Sequence, residues 1–106
     1  MPMYHITSKK QLDELLAKSP HLIIIKFGSV RCGPCRMMEP VLKAVSEKYA
    51  DVLILDVDID KLPDIASIYK VSGIPSFVFI KQRRVVATYT GAMQQGALEK
   101  LINTHK

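Results

Sequence analysis

Cys32 and Cys35 are the only cysteines of this chain, and they stand together as Cys32-Gly33-Pro34-Cys35. With no third thiol, the pair cannot belong to a disulfide framework that staples distant segments. It is a local dithiol, able either to open and close as a redox couple or to supply two ligands to a metal. Its setting narrows the folds open to the chain. The segment leading in, Ile23-Ile24-Ile25-Lys26-Phe27-Gly28, reads as a short apolar strand, and an amphipathic pattern follows the second cysteine. A strand that runs into a helix N-terminus puts Cys32 where unpaired N–H groups and a partial positive charge stabilise a thiolate.

Residues 1–106 have the size of one domain, able to bury roughly two-thirds of the surface that the unfolded chain exposes. Hydrophobic residues at 48% and charged residues at 24% exclude both a disordered and a membrane-spanning chain. The longest apolar run, Leu22 to Ile25, is far too short for a transmembrane helix. Met1-Pro2-Met3-Tyr4-His5 lacks a charged-then-apolar secretion signal, so a reducing, cytoplasmic location is expected. The net charge of +5 raises nucleic acid as a partner. The basic residues are scattered, however, over Lys9-Lys10, Lys43, Lys48 and Lys81-Gln82-Arg83-Arg84, with no interleaved aromatics to stack bases. A solvated basic face is expected, with neither a nucleic acid nor a membrane as partner.

Nothing repeats, and no low-complexity linker divides the chain. Tyr4-His5-Ile6 reads as an edge strand, and Ser8 with Gln11 forms a capping box for a helix whose stripe is Leu12, Leu15 and Leu16. Ser19-Pro20 ends that helix. Leu22 to Phe27 is apolar throughout, as a central strand buried on both faces requires. The cysteine helix should extend to about Tyr49 with Pro40 inside it, burying Val41, Leu42, Val45 and Tyr49. A second core strand spans Val52 to Asp60, and Leu62-Pro63-Asp64 opens a short helix to about Tyr69. Ser76 to Lys81 and Val85 to Thr90 form a hairpin, and Gln94 to Thr104 a closing helix. Strands alternating with helices and then a hairpin imply an α/β fold, a mixed sheet covered by helices on both faces.

The chain resembles the thioredoxin family along nearly its whole length. The resemblance rests on Phe27, Cys32-Gly33-Pro34-Cys35, Pro40, Val57-Asp58-Ile59-Asp60, Gly73-Ile74-Pro75 before a strand, and Gly91-Ala92 after the last one. It implies the thioredoxin fold, a central mixed sheet of about five strands flanked by four helices, and a thiol–disulfide oxidoreductase that reduces protein disulfides. Cys32 would attack the substrate disulfide and Cys35 would resolve the mixed disulfide; residues three apart share a helix face. Ile74-Pro75 would be a cis peptide packed against the dithiol. Gly33, Pro34, Ile74, Pro75, Gly91 and Ala92 would then dock an extended substrate. The resemblance implies no bound cofactor and a monomer fed by a thioredoxin reductase or a small-molecule thiol. The other soft metal ligands, His5, His21 and His105, are scattered, so no metal site is expected.

The departures from the family pattern all lie around the dithiol. Thioredoxins usually carry tryptophan where Arg31 stands, and an aromatic and an alanine where Gly28 and Ser29 stand. The buried aspartate of the central strand is replaced by Lys26, and the lysine usually facing it by Asp56, as if the pair were charge-swapped. In one reading, burial makes Lys26 a proton acceptor and donor for Cys35; in the other, Lys26 and Asp56 form a permanent ion pair. Arg31 should favour the Cys32 thiolate and make the couple more oxidising. With Arg31 and Arg36 flanking the site and Glu39 the nearby acid, acidic partners should dock better than basic ones. Two alternatives to a reductase follow: a more oxidising oxidase or isomerase, and a thioredoxin-fold binding module for a specific partner. Met37 and Met38 are expected to pack, and Met93 to fall near the docking loop as a partner contact.

Overall fold

The computed structural model describes residues 3–106; Met1 and Pro2, part of the segment read above for a secretion signal, lie outside the described residues. The elements follow the order β1 (Met3–His5), α1 (Lys9–Lys18), β2 (Ile23–Gly28), α2 (Gly33–Lys48), β3 (Leu53–Asp58), α3 (Pro63–Ile68), β4 (Ser76–Lys81), β5 (Arg84–Thr90) and α4 (Gln95–His105). The strands form one sheet in the order β1-β3-β2-β4-β5. β1, β3 and β2 are parallel, while β4 and β5 join antiparallel. β2 is central and buried at every position, which is why its sequence is a continuous apolar run rather than an alternating one.

Alternation along β2 sends side chains to two separate cores. Ile24 joins Met38, Leu42, Val45, Phe77, Phe79, Leu98 and Ile102 on the side of α2 and α4. Ile23, Ile25 and Phe27 join Leu12, Leu55, Val57, Ile65 and Val78 on the side of α1 and α3. By the same period of two, Lys26 faces α2. Ser8 accepts a hydrogen bond from the Gln11 N–H, and Gln11 Oε1 accepts from the Thr7 N–H. The reach of Gln11 thus ends one residue earlier than the capping box expected from sequence.

Several boundaries differ from the sequence reading by one or two residues, two of them for local reasons. β3 ends at Asp58 rather than Asp60, because Asp58 Oδ1 accepts from the Asp60 and Lys61 N–H groups and turns the chain. β5 begins at Arg84, since the hairpin turn is only Gln82-Arg83, with φ of 52° and 66°. Both sit in the left-handed region of a two-residue hairpin turn, where asparagine and glycine are usual. β1 is Met3–His5, one residue earlier than expected.

Glu99 links the two helices that cover one sheet face. Its Oε1 accepts from Lys48 Nζ at 2.6 Å and Tyr49 Oη at 2.8 Å, and its Oε2 from Gln95 at 3.0 Å. The Lys48 bond first, then those of Tyr49 and Gln95, hold the Glu99 carboxyl down at about 2 from an ordinary 4.5. A carboxyl depressed by folding stabilises above its unfolded value and loses that contribution as pH falls through the folded one. Stability should therefore decline between about pH 4.5 and 2 more steeply in the parent protein than in Glu99→Gln. Thermal unfolding across that window checks this, and equal slopes would refute it.

Candidate active site

The dithiol is built by the first turn of α2. Cys32 is the N-cap, with extended backbone, and Pro34 sits in the first turn, where its missing N–H is no loss. The Cys35 N–H donates to Cys32 Sγ at 3.2 Å. The two cysteines are joined in a disulfide, with Cα atoms 5.2 Å apart. Cys35 is 2% exposed and Cys32 9%. Cys32 is thus less open than its helix-start position suggests, because its sulfur packs against Cys35. It is nonetheless the one reached by a groove of about 510 Å³ lined by Ser29, Arg31, Gly33, Pro34, Asp60 and Ile74.

Behind the dithiol, Lys26 and Asp56 stand directly opposite each other on β2 and β3. Lys26 Nζ lies 3.2 Å from Asp56 Oδ1. The charge-swapped pair is a real ion pair, with Lys26 buried and Asp56 half-buried. Gly28 explains how the longer lysine fits. A methyl group on Gly28 would stand 3.0 Å from Lys26 Nζ and 3.2 Å from Cys35 Sγ, so amine and sulfur border one small space. That space opens into a pocket of about 270 Å³ shared by Lys26, Cys35, Arg36, Glu39 and Asp56. Among the described residues no group of His, Cys, Asp and Glu side chains is arranged to hold a metal ion.

Arg31 is not alone beside Cys32. Its Nη2 lies 3.5 Å from Asp60 Oδ2, and the Ser29 hydroxyl donates to the same oxygen at 2.7 Å. The Ser29 bond, with Arg31 assisting and desolvation opposing, holds the Asp60 carboxyl below the usual carboxylate range. The reading that Glu39 was the nearby acid is corrected: Asp60 sits closer to the cation and balances part of its charge. Sequence reasoning missed Asp60 as a site residue. The signal was present in Val57-Asp58-Ile59-Asp60, since a parallel strand next to β2 ends beside the β2–α2 loop.

The expected docking edge is assembled from two loops. Ile74-Pro75 is cis, and the Gly91 N–H donates to the Pro75 carbonyl at 2.8 Å. Gly91 has φ of 110°, which only glycine adopts without strain. The Met93 N–H donates to Met38 Sδ at 3.4 Å, tying the segment after Gly91-Ala92 to α2. Met93 is therefore buried, which corrects its reading as a partner contact. Met38 packs as expected, while Met37 is left exposed on the outer face of α2.

A strand–dithiol–helix site backed by an ion pair with a buried lysine, on a five-stranded mixed sheet with four helices, defines a thiol–disulfide oxidoreductase. The family model for thioredoxin matches residues 3–104, and the chain belongs to the thioredoxin family. It is 38% identical over 99 residues to human thioredoxin, covering 92% of this chain and 93% of that one. It is also 38% identical over 103 residues to the Caenorhabditis elegans peptide-N(4)-(N-acetyl-beta-glucosaminyl)asparagine amidase, of which it spans only 17%. The crystal structure of thioredoxin h from Nicotiana alata superimposes with a TM-score of 0.91 at 34% identity, covering 99% of this chain and 93% of that chain. No helix among the described residues is long and apolar enough to cross a membrane.

Proposed function

We propose that residues 1–106 act as one monomeric unit that reduces protein disulfides, with Cys32 as the attacking thiol and Cys35 as the resolving one. The observation that carries this assignment is the Cys35 N–H directed at Cys32 Sγ from the first turn of α2. A donor fixed there favours the thiolate of Cys32, the cysteine that the groove reaches. Cys32 attacks one sulfur of a substrate disulfide and releases the other as a thiol. Cys35 then loses its proton, attacks Cys32 Sγ, and expels the second substrate sulfur. Two electrons pass to the substrate, and the cysteine pair is left as the disulfide seen here.

Gly33, Pro34, Ile74 and Pro75 would hold the extended substrate along the groove, with Gly91 and Ala92 fixing its far edge. Lys26 and Asp56 would modulate proton loss at Cys35, the lysine by placing a cation beside the forming thiolate. Electrons would come from a thioredoxin reductase or a small-molecule thiol in a reducing compartment such as the cytoplasm.

Arg31 alone would push the couple towards oxidation, since a stabilised thiolate stabilises the reduced form. Asp60 opposes that push. The reduction potential of Cys32–Cys35 is therefore expected between about −270 mV, the thioredoxin value, and about −200 mV. Asp60→Asn should raise it by leaving Arg31 unbalanced. Equilibration against defined thiol–disulfide buffers, together with turnover on a disulfide-containing protein, tests both points. A potential at or above about −200 mV would favour the oxidase or isomerase reading, and no turnover would favour a binding module.

A further inference from the structure

His5, Asp56 and Lys26 form a row across three neighbouring strands. His5 is the register partner of Asp56 on β3, and Asp56 that of Lys26 on β2. One carboxylate serves both basic side chains: Oδ1 lies 3.2 Å from Lys26 Nζ, and Oδ2 lies 2.9 Å from His5 Nδ1. Because the carboxylate can only accept, His5 Nδ1 carries the hydrogen in this contact. The two ends of the row differ sharply. The Lys26 side chain is 9% exposed and borders the same small space beside Gly28 as Cys35 Sγ, while the His5 side chain is 78% exposed. His5 has no part in the dithiol exchange described above, yet it is bonded to the counter-ion of the buried cation.

We propose that His5 is a positioning residue that couples solvent pH to the resolving thiol, by competing with Lys26 for the charge of Asp56. This rests on the reading of Cys35 as the resolving thiol. A neutral imidazole gives Asp56 an ordinary hydrogen bond and leaves its negative charge to Lys26. A protonated imidazole makes a charge-assisted bond with the same carboxylate. The Lys26 ammonium is then less neutralised, and its field favours the Cys35 thiolate. Imidazole is the ordinary side chain that changes charge between about pH 5 and 8.

The other charged groups lining the cavities around the row are Asp58 and Lys61 from the end of β3, and Arg36, Glu39 and Lys43 from α2. Asp56 is the ion-pair partner of His5 among the described residues. Charge-swapping thus has a consequence for the sign of the pH response. Acid conditions lower the thiolate fraction of any thiol, and this row offsets part of that loss at Cys35.

The two steps separate in a single turnover with one equivalent of an aromatic disulfide whose thiolate is coloured. Cys32 attack releases the first aromatic thiolate. Cys35 then passes its proton to water, attacks Cys32 Sγ, and releases the second. Three forms are compared from pH 5.5 to 8.5: the parent, His5→Gln (always neutral) and His5→Lys (always cationic). The second step of the parent should exceed that of His5→Gln by about twofold at the acid end, the size expected for one added exposed charge. The two should converge at the alkaline end, where His5→Lys should be about twofold faster than both. The first step should be alike in all three. In a Lys26→Met background the differences at His5 should vanish.

A ratio that does not change with pH, or one that appears equally in the first step, would overturn the role of His5 while leaving the oxidoreductase reading intact. Release of neither thiolate would overturn both.

Discussion

Cys35→Ser should halt turnover and trap the substrate. Cys32 remains able to attack a disulfide, so an adduct bearing half of the substrate accumulates and is visible as an added mass on the intact protein. Release then depends on thiol from solution. Two groups held in one first helical turn react with an effective concentration of roughly 10⁵ M or more, against millimolar external thiol. Turnover should fall by at least about a thousandfold, because only the intramolecular step has been lost. Cys32→Ser should give the opposite pattern, with no adduct and no turnover. Cys35 is 2% exposed and lies behind the groove that reaches Cys32. An adduct on Cys35 in the Cys32→Ser protein would reverse the two roles.

Phe77→Ala should be the most destabilising single truncation near the site. Phe77 is fully buried on β4, opposite Lys26 on one neighbour strand and Tyr89 on the other. It belongs to the core shared with Ile24, Met38, Leu42 and Phe79. Removing a buried phenyl ring costs about 3–5 kcal/mol, the lost transfer energy together with the cavity left behind. Domains of this size have about 5–15 kcal/mol in all. The midpoint of thermal unfolding of the oxidised protein should fall by roughly 15 °C or more. Phe77→Leu, which keeps most of the volume, should cost less than about 2 kcal/mol. A loss below about 1.5 kcal/mol for the alanine variant would show that the sheet closes over the gap.

Much of this architecture was legible in the chain because it depends on local rules. The apolar run through β2 required burial on both faces, and the spacing of Leu12, Leu15 and Leu16 required a helix with one wet side. Cys32-Gly33-Pro34-Cys35 after that strand located the chemistry, and the family resemblance, not a local rule, placed Gly73-Ile74-Pro75 beside it. Lys26 and Asp56 could be paired because both fall near the carboxyl ends of neighbouring parallel strands. Register then settled them opposite each other.

Other features depended on which surfaces meet, and no local rule reports that. Asp60 follows its strand by two residues, but its bond to Ser29 and its contact with Arg31 arise only when β3 lies beside β2. Met93 looked like a loop contact until the chain folded it onto Met38. Gly28 was visible as a departure, yet its purpose appears only in the space it leaves between Lys26 and Cys35. The sequence alone determined the class of fold, the dithiol and its order of strand, turn and helix, because these follow from periodicity and covalent neighbours. The tertiary structure alone decided how the site is charged, from Asp60 beside Arg31 to His5 sharing Asp56 with Lys26. Charges act through space and at short range, and residues 31 or 51 positions apart become neighbours only when the sheet has formed.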